Sequence, residues 1–215
     1  MKDKRYLFWD LDGTLTDPAE GITKSVQHAL EYEGIRVEDR TALYPFIGPP
    51  LKETFMERYG FSAARAETAV AHYREYFAVT GIFENQVYPG IPELLERLHS
   101  QGRRLILATS KPTVFARRIL EHFQLLSCFT AVCGSELDGA RTRKTDVIRF
   151  ALEQTGTRPE DAAMIGDRRY DVEGARACGL AAVGVLYGYG SRQELEEAGA
   201  DVLAADVPAL DRLLL

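Results

Sequence analysis

The feature that most constrains this chain is an apolar run, Tyr6 to Trp9, that ends at once in Asp10-Leu11-Asp12-Gly13-Thr14. A short apolar run closed by a turn reads as a buried strand. Side chains two apart on an extended chain point the same way. Asp10 and Asp12 therefore reach one site if the extended geometry lasts that far, and Gly13 permits a sharp turn or a close approach to a ligand. Two carboxylates held together need a cation or a shared proton to relieve them. A hard divalent ion such as Mg2+ takes oxygen ligands and is commonly held by one or two carboxylates plus a phosphate. The stretch suggests a nucleophilic carboxylate, a neighbouring acid–base group and a metal. A solvated Asp-Gly turn is the bland alternative.

Beyond this strand the chain turns helical. Asp17, Pro18 and Glu20 have the order of an N-cap, a first helical residue and a capping-box acid. Ile22, Val26, Ala29 and Leu30 come next at helical spacing, up to Gly34. Residues 38–83 remain helical in character, interrupted by a loop at Tyr44-Pro45-Phe46-Ile47-Gly48-Pro49-Pro50. From Tyr88 the texture changes to strands alternating with helices. Strands are expected over 104–109, 129–133, 162–166 and 180–185, with a last one at Val202-Leu203. A capping box at Ser191-Arg192-Gln193-Glu194 opens a short helix ending at Gly199. The expected fold is α/β: a Rossmann-like, three-layer core with a parallel sheet, residues 1–16 and 86–215, and a helical domain, residues 17–85, inserted after the first strand.

In such a sheet, ligands bind outside the carboxyl ends of the strands. Strand one ends in Asp10, another in Thr109-Ser110-Lys111, and a third in Gly166-Asp167 with Asp171 one helical turn on. Each group has a task in phosphoryl transfer, which needs an in-line nucleophile, charge neutralisation and orientation. Asp10 attacks phosphorus, and Asp12 protonates the departing alkoxide and then helps activate water. Thr109 gives a hydroxyl hydrogen bond to a phosphate oxygen. A cation must balance the carboxylate and the phosphate; Lys144 is the candidate and Arg143 its competitor. Asp167 completes the metal site, and Asp171 orients it from behind.

Composition sets the outer bounds. A net charge of -6 over 215 residues argues against nucleic acid or an anionic membrane as partner. It leaves room for a small phosphorylated metabolite, which needs only a local cluster of cations. No apolar run is long enough to span a bilayer. Cys128, Cys133 and Cys178 stand at no zinc-like spacing and read as reduced thiols of a cytoplasmic protein. A monomer or small homo-oligomer is expected.

Asp10-Leu11-Asp12-Gly13-Thr14, Thr109-Ser110-Lys111-Pro112, Lys144 and Gly166-Asp167-Arg168-Arg169-Tyr170-Asp171 resemble the four motifs of the haloacid dehalogenase superfamily. The helical insert resembles that superfamily's first cap type, and the nearest branch is the phosphoglycolate phosphatase-like proteins, with cytosolic nucleotidases of similar build. The resemblance implies Mg2+ held by the side chains of Asp10 and Asp167 and the main-chain carbonyl of Asp12. It also implies phosphate contacts from Thr109, Ser110 and Lys144, with Thr14 a further substrate contact. The third motif departs from the family pattern, because Thr145 rather than proline follows Lys144. Asp12 speaks against the superfamily's dehalogenases, which lack that acid, and against its phosphonate-cleaving members, which replace it with a small residue. A 5'-nucleotidase or a sugar phosphomutase shares every motif seen here. A non-catalytic regulatory protein on the same fold has no need of the full set of acids and cations. Selectivity is expected in the loop 46–52, where Lys52 is a candidate contact to an anionic leaving group.

Overall fold

The computed structural model describes residues 1–215. The chain divides into two compact units, Met1–Asp17 with Val87–Leu215, and Pro18–Gln86. The first unit is built on a six-stranded parallel sheet. Its elements are β1 (Tyr6–Trp9), then, past the insert, α4 (Ile91–Ser100), β4 (Arg104–Pro112), α5 (Thr113–His122), β5 (Phe129–Ser135) and α6 (Lys144–Thr155). β6 (Ala162–Gly166), α7 (Arg169–Ala177), β7 (Ala181–Val185), α8 (Arg192–Ala198), β8 (Val202–Ala204) and α9 (Val207–Leu214) complete it. Two-residue strands β2 (Thr16–Asp17) and β3 (Gln86–Val87) mark where the chain leaves and returns. They are too short to leave a pattern in the sequence.

The strand order β5-β4-β1-β6-β7-β8 puts β1 at the point where the winding reverses, the place where open α/β sheets bind ligands. β1 reads as a continuous apolar run because both faces of the sheet are covered by helices. Phe8 joins Ile106, Ala108 and Met164 under Val147, Ile148, Val172 and Ala175 of α6 and α7. Leu7 and Trp9 fall on the opposite face by alternation and are equally buried. Truncating Phe8 to Ala would cost about 3–5 kcal/mol in so tight a core.

The second unit holds α1 (Ala19–Tyr32), α2 (Leu51–Tyr59) and α3 (Ala63–Phe77), with 3-10 turns at Arg40–Phe46 and Gly81–Phe83. The stretch 44–46, expected as loop, is the end of the first 3-10 turn. Phe46 then meets Phe55 with ring centroids 4.8 Å apart, and Phe55 stacks on Phe61 at 5.9 Å. This aromatic packing fixes the double-proline segment before α2. Lys52, in the first turn of α2, is half-exposed and pairs with Glu67 of α3.

Two capping expectations are corrected. Pro18, not Asp17, is the residue preceding α1, and no side chain caps that helix. Asp17 instead accepts a hydrogen bond from the Tyr189 hydroxyl, and Glu20 pairs with Lys24. Ser191 does cap α8, accepting from the Glu194 amide at 3.1 Å. The Glu194 carboxylate does not reach back; it accepts from Arg168 Nε at 2.8 Å and from the Arg169 amide at 2.9 Å. In both cases a stronger partner from a distant segment displaces the local one.

Candidate active site

Register brings the strand-end groups together. Trp9 stands opposite Leu107 of β4 and Ile165 of β6, and the Asp10 amide donates to the Ile165 carbonyl at 2.9 Å. Asp10 therefore lies level with Ala108 and Gly166, with Thr109 and Asp167 one residue further out. Asp10, Asp12, Thr109, Lys144, Asp167 and Asp171 are all buried. So many ionisable groups are found out of water only when they are paired.

Lys144 begins α6 and its ammonium is fully committed. Nζ lies 2.7 Å from Asp10 Oδ1 and 2.7 Å from Asp171 Oδ1, and donates to the Ala108 carbonyl at 3.0 Å. Burial works against its charge, but the two carboxylates outweigh burial and raise its pKa. Arg143, the competing cation, is exposed and sits outside the helix as its N-cap residue. Asp171 is pushed above the usual carboxylate range by burial, with Lys144 opposing the rise. Its other oxygen accepts from the Arg168 amide at 3.1 Å, which closes the start of α7. Arg168 is thus the N-cap residue of that helix.

Asp12 turns to a different cation. Lys111 Nζ is 2.8 Å from its Oδ2, while Oδ1 is buried with no hydrogen-bond partner. Burial raises the Asp12 pKa and Lys111 holds part of that rise back. The sequence puts Lys111 in a motif without a task of its own; its position two residues beyond Thr109 at a strand end is the available signal. Thr109 Oγ1 accepts from the Lys111 amide at 3.3 Å. Ser110 is half-buried, and its carbonyl accepts from Ser135 Oγ at 2.8 Å.

Asp167 is enclosed on all sides. Its pKa stands well above the ordinary value, through burial first and then the neighbouring Asp171 and Asp10 charges. Tyr189 donates its amide to Oδ2 at 2.7 Å. Thr14, expected as a substrate contact, is fully buried, and its hydroxyl donates to Asp167 Oδ1 at 3.4 Å. A Cβ on Gly13, Gly188 or Gly190 would overlap Asp167 atoms. Tyr187-Gly188-Tyr189-Gly190, after β7 at the same sheet edge, is a part of the site that sequence reasoning missed, although a glycine-flanked tyrosine past a strand end signals a close approach.

Carboxylate oxygens of Asp10, Asp167 and Asp171 lie within 4.8 Å of one another. An all-oxygen set of this kind suits a hard divalent cation. Lys52 belongs to the other unit and is held there by Glu67. No helix is long and apolar enough to cross a membrane.

Residues 7–185 match the family of haloacid dehalogenase-like hydrolases. The chain is 53% identical to a 5'-nucleotidase of Pseudomonas aeruginosa over 97% of its own length and 94% of that protein's. It is 40% identical to the tyrosine-protein kinase PtkA of Mycobacterium tuberculosis over 92% of this chain and 67% of that one. Among solved structures it superposes on a predicted phosphatase from Clostridium acetobutylicum with a TM-score of 0.96 and 51% identity, covering 98% and 97% of the two chains. A family match over most of the chain and near-full-length similarity to a 5'-nucleotidase and a predicted phosphatase agree with the chemistry of the sheet edge: this chain belongs to the haloacid dehalogenase-like hydrolases and is a phosphoric monoester hydrolase among them.

Proposed function

We propose that the chain is a Mg2+-dependent phosphatase of nucleoside 5'-monophosphates, acting through an aspartyl phosphate on Asp10. The observation that carries the mechanism is the carboxylate of Asp10 at the end of the central strand, one oxygen fixed by Lys144 at 2.7 Å. That contact leaves the other oxygen for phosphorus. Lys144 neutralises the charge that gathers as carboxylate and phosphate approach. Thr109 and Ser110 supply hydrogen bonds to phosphate oxygens. Asp12 gives a proton from its unpartnered Oδ1 to the leaving oxygen, and the same atom then takes a proton from the water that hydrolyses the aspartyl phosphate. Asp10 and Asp167, with the Asp12 carbonyl, would hold the metal, whose chemistry is to offset phosphate charge and align the in-line displacement.

The nucleotide reading rests on the likeness to the Pseudomonas aeruginosa 5'-nucleotidase. Phosphoglycolate, implied by the branch the motifs resemble, is the comparison substrate. Leaving-group selectivity is assigned to the helical insert, with Lys52 as a contact once it leaves Glu67. The three free cysteines suit a reducing, cytoplasmic setting. Phosphate release with Mg2+ over nucleoside 5'-monophosphates, phosphoglycolate and sugar phosphates tests the proposal. A nucleoside monophosphate should give the highest kcat/KM; a clear preference for phosphoglycolate would move the substrate to the comparison class.

The likeness to a protein named as a tyrosine kinase favours one further arm. An aspartyl phosphate passes to a phenol as readily in principle as to water. Incubation with ATP labelled in its γ-phosphate should leave no acid- and base-stable label on tyrosine.

A further inference from the structure

The loop Tyr187-Gly188-Tyr189-Gly190 bonds in two directions. Toward the site, its Tyr189 amide donates to Asp167 Oδ2 at 2.7 Å, the shorter of the two hydrogen bonds on that carboxylate. Toward the chain's exit from the core, the Tyr187 hydroxyl donates to the Thr14 carbonyl at 3.0 Å and the Tyr189 hydroxyl donates to Asp17 Oδ1. Tyr88, just after β3, meets the Tyr187 ring edge-on at 4.9 Å. Thr14 in turn holds the second oxygen of Asp167. The loop and the Thr14–Asp17 segment thus form a closed ring of hydrogen bonds around one carboxylate.

The glycines make the ring tight. A Cβ on Gly188 would overlap the Gly13 carbonyl as well as Asp167, and one on Gly190 would overlap the Asp167 carbonyl. A main-chain donor pressed this closely has no freedom of its own; it goes where the loop goes. Two phenol hydroxyls set where the loop goes, and each reaches a group in the segment just beyond the nucleophile.

We propose that Tyr187 and Tyr189 are positioning residues for the metal-binding carboxylate of Asp167, acting through the Tyr189 amide. The inference rests on the Mg2+-dependent phosphatase reading of the site. Removing a hydroxyl leaves the rings packed and every charged group of the site in place. The loop loses its anchor, the amide moves off line, and Asp167 holds the ion less well. Groups that orient a ligating carboxylate typically change metal affinity about 10- to 100-fold.

Mg2+ titration followed by calorimetry and by the metal-dependent rise in Tm tests this on wild type, Tyr187→Phe, Tyr189→Phe and the double variant. Each single variant should weaken Mg2+ binding by roughly 3- to 10-fold and the double variant by roughly 10- to 100-fold. With Mg2+ saturating, kcat should return to near the wild-type value. Asp17→Ala combined with Tyr189→Phe should add little beyond either alone, because both remove the hydrogen bond between the Tyr189 hydroxyl and Asp17 Oδ1. A merely structural role would lower Tm equally with and without Mg2+ and leave the affinity unchanged, and that result overturns the inference. If wild type itself neither binds Mg2+ nor needs it, the proposed function falls first and takes this inference with it. Wild-type binding with unchanged variants removes the inference alone.

Discussion

Lys111 Nζ lies 2.8 Å from Asp12 Oδ2, with the two side chains only 7% and 10% exposed. In the proposed mechanism this pair sets the working range of Asp12 as the acid–base group. Burial raises the Asp12 pKa, and the ammonium pulls against it. Replacing Lys111 by Met removes the pull, so the carboxyl keeps its proton to higher pH. The base needed for the second step then becomes available only at higher pH. The acidic limb of the kcat profile should therefore move alkaline. An unshifted limb in a folded Lys111→Met protein would separate Lys111 from Asp12 in function.

The ends of strands were the legible part of this site. An apolar run stopped by a polar group says both where a parallel strand ends and which edge it faces, so the sequence alone puts Asp10, Thr109 and Asp167 at one edge. The sequence favours Lys144 but leaves Arg143 as its competitor. They are adjacent, and the phase of α6 decides which one points inward. Asp17 looked like a cap because its true partner, the Tyr189 hydroxyl, is 172 residues away. The Tyr187–Gly190 loop was hidden for the same reason: its meaning lies in what it closes on. Periodicity reports an element's own face; it carries no information about a side chain's partner on another strand.

Asp10 and Asp12 should separate by substrate. Asp10→Asn replaces the proposed nucleophile by a neutral amide and should abolish turnover on every substrate while the far-ultraviolet spectrum is unchanged. Asp12→Asn keeps the nucleophile. It should retain substantial activity on an aryl phosphate, whose leaving group needs no proton, and lose roughly 10²–10⁴-fold on an alkyl phosphate. Equal losses on the two substrates would remove the proton-transfer role from Asp12.

Lys144 bridges Asp10 and Asp171 in the interior, with 2.7 Å to each. Deleting one partner of a buried ion pair commonly costs about 3–5 kcal/mol, because the abandoned charge stays buried. Lys144→Met should therefore destabilise the metal-free protein by that order at pH 8, measured by urea denaturation in EDTA. Lys111→Met, which strands one carboxylate instead of two, should cost less. The reverse order would mean that Asp10 and Asp171 find other relief.

Without metal, the acid cluster should make the fold weaken as pH rises. Asp12, Asp167 and Asp171 all have their pKa values raised in the folded state, chiefly by burial. In the unfolded chain they return to about 4. The folded state thus binds more protons than the unfolded one at intermediate pH, and stability falls with increasing pH there. The contribution is fully present below the unfolded value and is lost as pH rises through the folded values. A bound divalent ion replaces those protons and stabilises by RT ln(1 + [L]/Kd), about 2.7 kcal/mol at a hundredfold excess over Kd. Protons compete for the same oxygens, so the Tm difference between Mg2+ and EDTA should be small at pH 5 and grow towards pH 8. Other groups titrate over this range as well, and Asp167→Asn provides the correction. Its neutral amide should raise the metal-free Tm at pH 8 relative to wild type, leave it nearly unchanged at pH 4, and abolish most of the Mg2+ increment. A Mg2+ increment independent of pH, or a metal-free Asp167→Asn protein no more stable than wild type at pH 8, would show that these carboxyls reach the folded state already relieved of their charge.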